Sequence, residues 1–236
     1  MTAIVLRILS GGAVQRGLES AAEIFQRETG HRIAISFATA PVLRRKVENK
    51  EESPDIVVAP VPLMMDFEGE GCIVAGSSIA VGSVKAGVVV RQGPWSPDIS
   101  SVESLKRELV ASDSIVYNQG SSGIFVEKLI QNLGLADLAK AKTTRLPDAE
   151  SVMIHLAESG AVREIGFGQI TAIVLHAGRG VKLVGPLPKE VENVTTYAAG
   201  VSTSAEFPAQ AKQLVSFLTA PAAKEAFKAA GVAPSD

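Results

Sequence analysis

The sequence carries one cysteine, Cys72, in 236 residues. That excludes an internal disulfide framework and a cysteine-cluster metal site, and it leaves the redox compartment open. The three histidines, His31, His155 and His176, are single and widely separated, without the spacing that brings two imidazoles to one metal. Each reads as a surface or satisfied core residue, so no metal and no other cofactor is expected. An excess of one charge is also missing: 23 Lys and Arg against 25 Asp and Glu give a net −2, with a pI near 6.0. Nucleic acid and anionic membrane surfaces therefore find no electrostatic footprint. No apolar run approaches the ~18 residues of a membrane span, so direct membrane insertion is not expected. The longest runs, such as Ala86–Val90 and Ile170–Leu175, have the length of core strands. Met1–Leu9 has no basic region ahead of its apolar residues, and Arg7 interrupts them, so the segment reads as a first strand and not as a secretory signal. The chain is then cytoplasmic, or it is a mature periplasmic form whose leader has been removed. Enzyme signatures are missing as well: there is no Gly-x-Ser-x-Gly elbow, no Walker A lysine and no Gly-x-Gly-x-x-Gly after a strand.

What is present is a globular composition. With 46% hydrophobic and 20% charged residues the chain can bury a sizeable core, and its length suggests two lobes or one large domain. Short β-rich runs alternate with helical periodicity, as in parallel strands joined by crossover helices. Ile4–Leu9 reads as a strand. A helix over Ala13–Thr29 follows, with Val14, Leu18, Ala21 and Phe25 on one face and Gly30 as its stop. Ile33, Ile35 and Phe37 alternate as a second strand, and Pro41 suits the first turn of a short helix. Asp55–Ala59 and Val84–Val90 read as buried strands, the latter apolar on both faces like a central parallel strand. Ser100 with Glu103 suggests a capping box. Further strands are expected over Ser114–Asn118, Lys142–Leu146, Glu164–Phe167, Val181–Val184 and Thr195–Val201. Further helices are expected over Ile124–Leu133, from Asp148 to about Ala157, and from near Pro208 and Pro221.

Several strand-to-helix junctions are rich in Ser, Thr and Gly: Ser10-Gly11-Gly12, Thr39-Ala40-Pro41, Asn118-Gln119-Gly120-Ser121-Ser122-Gly123, and Pro147-Asp148-Ala149. Any one of them is an ordinary cap or turn. Taken together they lie at the carboxyl ends of strands, where open α/β sheets bind ligands. Small residues there expose backbone N–H groups at helix starts that can hold a compact anion. At about 1.5–3 kcal/mol for each bond to a charged group, five or six bonds suffice for the roughly 8 kcal/mol of micromolar binding.

In their order and spacing these segments resemble the type II periplasmic-binding-protein superfamily, in particular the substrate-binding components of molybdate-type ABC transporters. The resemblance rests on Ser10-Gly11-Gly12 after the first strand, Phe25-Gln26-Arg27-Glu28-Thr29-Gly30, Ser53-Pro54-Asp55-Ile56-Val57-Val58-Ala59, and Tyr117 to Gly123. It continues through Ile165-Gly166-Phe167-Gly168-Gln169 and Val184-Gly185-Pro186-Leu187-Pro188. It implies two doubly wound α/β lobes joined by two crossing strands, here residues 1–82 plus 198–236 and residues 83–197, with the ligand in the cleft between them. It also implies a monomer that delivers a small anion to a membrane permease. The implied ligand residues are Ser10, Gly11, Gly12, Thr39, Ala40, Ser121, Ser122, Gly123, Asp148, Ala149 and Gln169; Asn118, from the third junction, and Arg145, from its nearness to the loops, are further candidates. A molybdate-type oxyanion is the expected ligand. Two positions depart from the family pattern: Thr39-Ala40-Pro41 offers one hydroxyl and lacks an amide donor at Pro41, and Gln169 stands where the family tends to use tyrosine. Arg44, Arg45 and Arg145 lie near the loops, and an arginine fork suits carboxylates. A di- or tricarboxylate is therefore the alternative ligand. Two other readings compete, a cytoplasmic anion sensor on the same fold and an enzyme using Asp148 or Glu150 as a base.

Overall fold

A computed structural model describes residues 4–234. Met1–Ala3, which open the N-terminal segment read above, lie outside the described residues, as do Ser235 and Asp236 at the end of the first expected lobe. The first half of the chain runs β1 (Val5–Gly11), α1 (Gln15–Thr29), β2 (Arg32–Ala38), α2 (Ala40–Glu48), β3 (Ile56–Pro60), α3 (Val61–Gly69), β4 (Ile79–Arg91), α4 (Val102–Ala111) and β5 (Ser114–Asn118). It continues with α5 (Ser121–Asn132), α6 (Ala136–Lys142), β6 (Thr143–Leu146), α7 (Ala149–Glu158), β7 (Glu164–Gln169), α8 (Ile170–His176), β8 (Val181–Pro186), β9 (Val194–Val201), α9 (Pro208–Phe217) and α10 (Pro221–Ala229). Two compact units result, Met1–Val84 with Thr195–Asp236, and Lys85–Val194.

The first unit is built on the strand path β2-β1-β3-β9. β1 is parallel to β2 and to β3, and β9 is antiparallel to β3. Alternation along β1 and β3 divides their side chains between two cores. Leu6, Ile8, Ile56 and Val58 pack with Leu18, Ala21 and Phe25 of α1 and with Phe227 of α10. Leu9, Val57 and Ala59 pack with Leu43, Met64 and Phe67 on the other face. Helix α1 stops at Gly30, whose φ of 73° is a left-handed cap and whose N–H donates to the Gln26 carbonyl. Asp55, in the stretch that carries the resemblance, is fully buried. Its carboxylate accepts the backbone N–H groups of Arg7, Glu206 and Phe207 at 2.8, 2.8 and 3.2 Å, tying β1 to the start of α9. It is a strut in the core, since a buried polar side chain is stable there only when it is hydrogen-bonded.

The second unit follows the path β4-β7-β5-β6, with β8 also on β4. β5 is parallel to β6 and β7. Here the structure departs from the reading of Val84–Val90 as a parallel strand: β4 is antiparallel to both β7 and β8. It is apolar on both faces because Val88 and Val89 enter different cores. Ile170–Leu175 is a helix and not a strand; it buries Ile173 and leaves Val174 exposed. Helices α3 and α6 were not foreseen, and α6 takes Lys142 away from the expected strand. The Lys142 ammonium donates to the carbonyls of Leu109, Val110 and Ser112 at 2.6–2.9 Å, so it closes the C-terminal end of α4. The cap of α4 is Ser101 and not Ser100, its hydroxyl oxygen accepting the Ser104 N–H. Among the described residues no helix is long and apolar enough to cross a membrane.

Candidate functional site

In the first unit the register brings two of the expected loops side by side. Gly11 pairs with Ala38 across β1 and β2, so Gly12 and Thr39 are next to one another at the carboxyl edge of the sheet. The two loops present different groups. Ser10 is fully buried, and its hydroxyl donates to the Gly11 carbonyl at 3.1 Å. Gly12 is exposed and opens a short 3-10 turn that leads into α1. Thr39 is the N-cap of α2 without a side-chain cap bond, followed by Ala40 and Pro41. Pro41 needs no hydrogen-bond partner in the first helical turn, so the residues around it fit the helix without filling its positive end.

In the second unit the register Asn118–Leu146 and a bond from the Gln119 N–H to the Leu146 carbonyl hold the loops after β5 and β6 together. Gln169, buried at the end of β7, belongs to the same carboxyl edge of a strand parallel to β5. Asn118 and Ser122 are both buried and serve each other: the Asn118 amide donates to the Ser122 Oγ at 3.1 Å and its Oδ1 accepts the Gly120 N–H at 2.7 Å. Their polar groups shape the loop from inside. Gly123 must be glycine for packing, because a Cβ there would lie 1.6 Å from the Asn118 carbonyl oxygen. That leaves Ser121, half-buried at the first position of α5, whose start has no side-chain cap bond and no acidic residue in its first turn.

Asp148 and Ala149 begin α7 differently. The Asp148 Oδ1 accepts the Ser151 N–H at 2.8 Å, and Glu150 follows in the first turn. The helix start already holds a carboxylate of its own, so an incoming anion would meet like charge. The arginines near the loops are engaged as well. Arg44 bonds to Glu48 at 2.8 Å and to Asp66, with Glu70 at 3.5 Å, and the two nearer carboxylates hold its guanidinium above its ordinary pKa. Arg45 meets Glu51 at 3.3 Å. Arg145 lies 3.7 Å from Glu127 and 5.8 Å from the centroid of the Tyr117 ring. Burial, with the Glu127 charge added, pushes the Tyr117 hydroxyl up.

One cation near the loops went unnoticed in the sequence. Arg16 is exposed in the first turn of α1, four residues after Gly12, and forms no ion pair among the described residues. The signal was its position: a positive charge in the first helical turn opposes the helix dipole, and helical side chains tilt back toward the N-terminus. The junction from β3 to α3, where Pro60 is an uncapped N-cap, was also missed. Cys72 is half-buried and free, its thiol pushed up by burial and then by Glu70. Among the described residues no three His, Cys, Asp or Glu side chains are grouped to hold a metal ion.

Two α/β units, crossed twice by the chain and carrying small-residue loops at the carboxyl ends of parallel strands, define the type II periplasmic-binding-protein fold. The model of the bacterial extracellular solute-binding protein family matches residues 6–233, and the chain belongs to that family. It is similar to the periplasmic molybdate-binding protein of Azotobacter vinelandii, with a TM-score of 0.76 and 20% identity over 98% of this chain and 100% of that one. It is also similar to AgtB, a periplasmic binding protein of A. tumefaciens R10 seen in complex with agropinic acid, with a TM-score of 0.77 and 12% identity over 99% of this chain and 83% of that one. At these identities the likeness is one of fold. An aconitate isomerase of Pseudomonas sp is 25% identical over 238 residues, covering 97% of this chain and 87% of that protein.

Proposed function

We propose that the protein is a non-enzymatic solute-binding protein that takes a small anion at strand-to-helix loops and delivers it to an ABC permease. One observation carries the reading. The starts of α1, α2 and α5, which follow the Ser/Thr/Gly junctions, have neither a capping side chain nor a first-turn carboxylate. Helices α3 and α8 to α10 share this, whereas α4 and α7 have both, so it is the coincidence of an open start with a small-residue loop that marks the three. Helix starts left open at the carboxyl edge of a sheet are suited to a ligand's negative charge. In the first unit Gly12, Thr39 and the amides beside them are the proposed contacts, and in the second unit Ser121 and Gln169. Asn118, Ser122, Gly123 and Ser10 shape those loops, and Asp148 is a cap.

A molybdate-type oxyanion suits neutral donors, and a di- or tricarboxylate suits the same donors with Arg16 added. A thermal-shift panel of molybdate, tungstate, sulfate, phosphate and small carboxylates at fixed pH and salt separates them. At 100 times its dissociation constant a ligand adds about 2.7 kcal/mol of apparent stability. No shift with any anion would overturn the reading. The family description supports a protein working outside the cytoplasm beside its permease, and cell fractionation tests this; a wholly cytoplasmic protein would favour the sensor reading instead. The monomer is part of the proposal, and light scattering of the purified protein tests it.

The likeness to an aconitate isomerase along nearly the whole chain favours one second reading, an enzyme acting on a tricarboxylate. Asp148, engaged as a cap, is a poor base for it. Incubation with aconitate, followed by proton NMR, decides: a new isomer makes the protein an enzyme, and an unchanged spectrum leaves it a binder.

A further inference from the structure

Tyr197 is one of two tyrosines in the chain, and no sequence motif pointed to it. It is 4% exposed and stands on β9 opposite Pro60, the last residue of β3. Because Ser10 of β1 pairs with Val58 of β3, Pro60 and Tyr197 lie two residues further along, level with Gly12. The ring packs where a side chain of Gly11 would be: a Cβ on Gly11 would lie 2.8 Å from Cε1, 3.6 Å from Cδ1 and 3.7 Å from Cζ. Gly12 is the opposite case, for a Cβ there would meet nothing within 4 Å. One glycine of the loop is closed from behind by an aromatic ring, and the next faces open space.

We propose that Tyr197 is the positioning residue of the first ligand loop, its ring holding Gly11 so that the amides of the turn beginning at Gly12 face an arriving anion. The inference rests on the reading of this loop as an anion site. Two adjacent glycines can adopt many backbone conformations, and ordering them at the moment of binding would weaken affinity. A buried ring against Gly11 removes that freedom before the ligand arrives. The packing against Gly11 is made by the ring carbons.

Isothermal titration with sodium molybdate and with sodium aconitate as probes tests the inference. Tyr197→Phe keeps the ring and should bind within about threefold of the unaltered protein, while Tyr197→Leu and Gly11→Ala should each lose about tenfold. The double variant Gly11→Ala/Tyr197→Leu, whose added methyl enters space the ring has left, should bind more tightly than Gly11→Ala. A residue that only supports the fold would lower the thermal midpoint of Tyr197→Leu without changing affinity, and that result overturns the proposal. So does a loss in Tyr197→Phe equal to that in Tyr197→Leu, which would give the work to the hydroxyl and not to the ring. If Tyr197→Leu does not fold, Gly11→Ala and Tyr197→Phe still decide: unchanged affinity in the first, or a large loss in the second, overturns it. If neither probe binds, the titration uses the anion that shifts the unaltered protein in the thermal panel: no binding by any of them overturns the anion-site reading and this inference with it, and binding of one with variants that fail this pattern overturns the inference alone.

Discussion

Gly12 and Gly123 show how differently two glycines in the proposed ligand loops can be constrained. A methyl on Gly123 would strike the Asn118 carbonyl oxygen at 1.6 Å, and backbone cannot retreat as a flexible side chain can. Gly123→Ala should cost about 3 kcal/mol, read from urea unfolding. A methyl on Gly12 meets nothing, and its φ is not in the left-handed region. Gly12→Ala should leave stability unchanged or raise it by about 0.4–1 kcal/mol. If the anion approaches this backbone closely, the same variant should weaken binding about tenfold. Unchanged affinity would move the ligand away from the loop. The sequence marked both loops as small and polar, and it was right about where they fall in the fold. It could not say which small residues face outward, because Asn118 and Ser122 find each other across four positions and Ser10 finds its neighbour's carbonyl. Those are pairings in space, and spacing alone does not display them.

Elements were legible where periodicity was long or punctuated. Helix α1 carries a clear apolar face and a glycine stop, and Pro208 and Pro221 stand at the first positions of α9 and α10. Ile170–Leu175 was misread because a short run of branched apolar residues fits a buried strand and a helix equally well. Cap chemistry sets α4 and α7 apart from the other helix starts, since only these two combine a capping side chain with a first-turn carboxylate. Asp148→Ala should cost about 1 kcal/mol of stability, the ordinary value of an N-cap, seen as a lower urea midpoint. On the proposed reading, which does not use the start of α7, affinity for the anion should stay within about twofold. A large loss of affinity would return Asp148 to the site.

Over the whole molecule, acid should act through buried carboxylates. Glu164 is 6% exposed, and burial alone would raise its pKa. Hydrogen bonds from Ser114, Ser159 and His155 outweigh that and hold the carboxyl below its ordinary range. A carboxyl whose folded pKa is depressed stabilises the protein above its unfolded pKa of about 4.3, and that stability is lost as pH falls through the folded value. Glu164→Gln should therefore be less stable than the unaltered protein at neutral pH, with the gap closing below about pH 4. Urea midpoints across that range check it; a gap that persists in acid would mean that the glutamine damages packing and that the charge is secondary.

Charge also decides how an anion is met at a distance. The protein carries a net −2, so the molecule as a whole offers no attraction to an anion, and Arg44, Arg45 and Arg145 are paired with carboxylates. Arg16 is the exception near the loops. If it draws the ligand's charge, raising the ionic strength from well below to well above about 0.1 M, where the screening length is about 10 Å, should weaken binding of a multiply charged anion. Arg16→Gln should then bind that anion more weakly at low salt and show a flatter salt dependence, its affinity converging on that of the unaltered protein as salt rises. Such convergence is the mark of a screened, solvent-exposed charge; hydrogen bonds from backbone amides in the turn are short-ranged and change little with salt. Parallel salt dependence in the two proteins would assign binding to the neutral donors alone, which favours a compact oxyanion over a carboxylate with several charges.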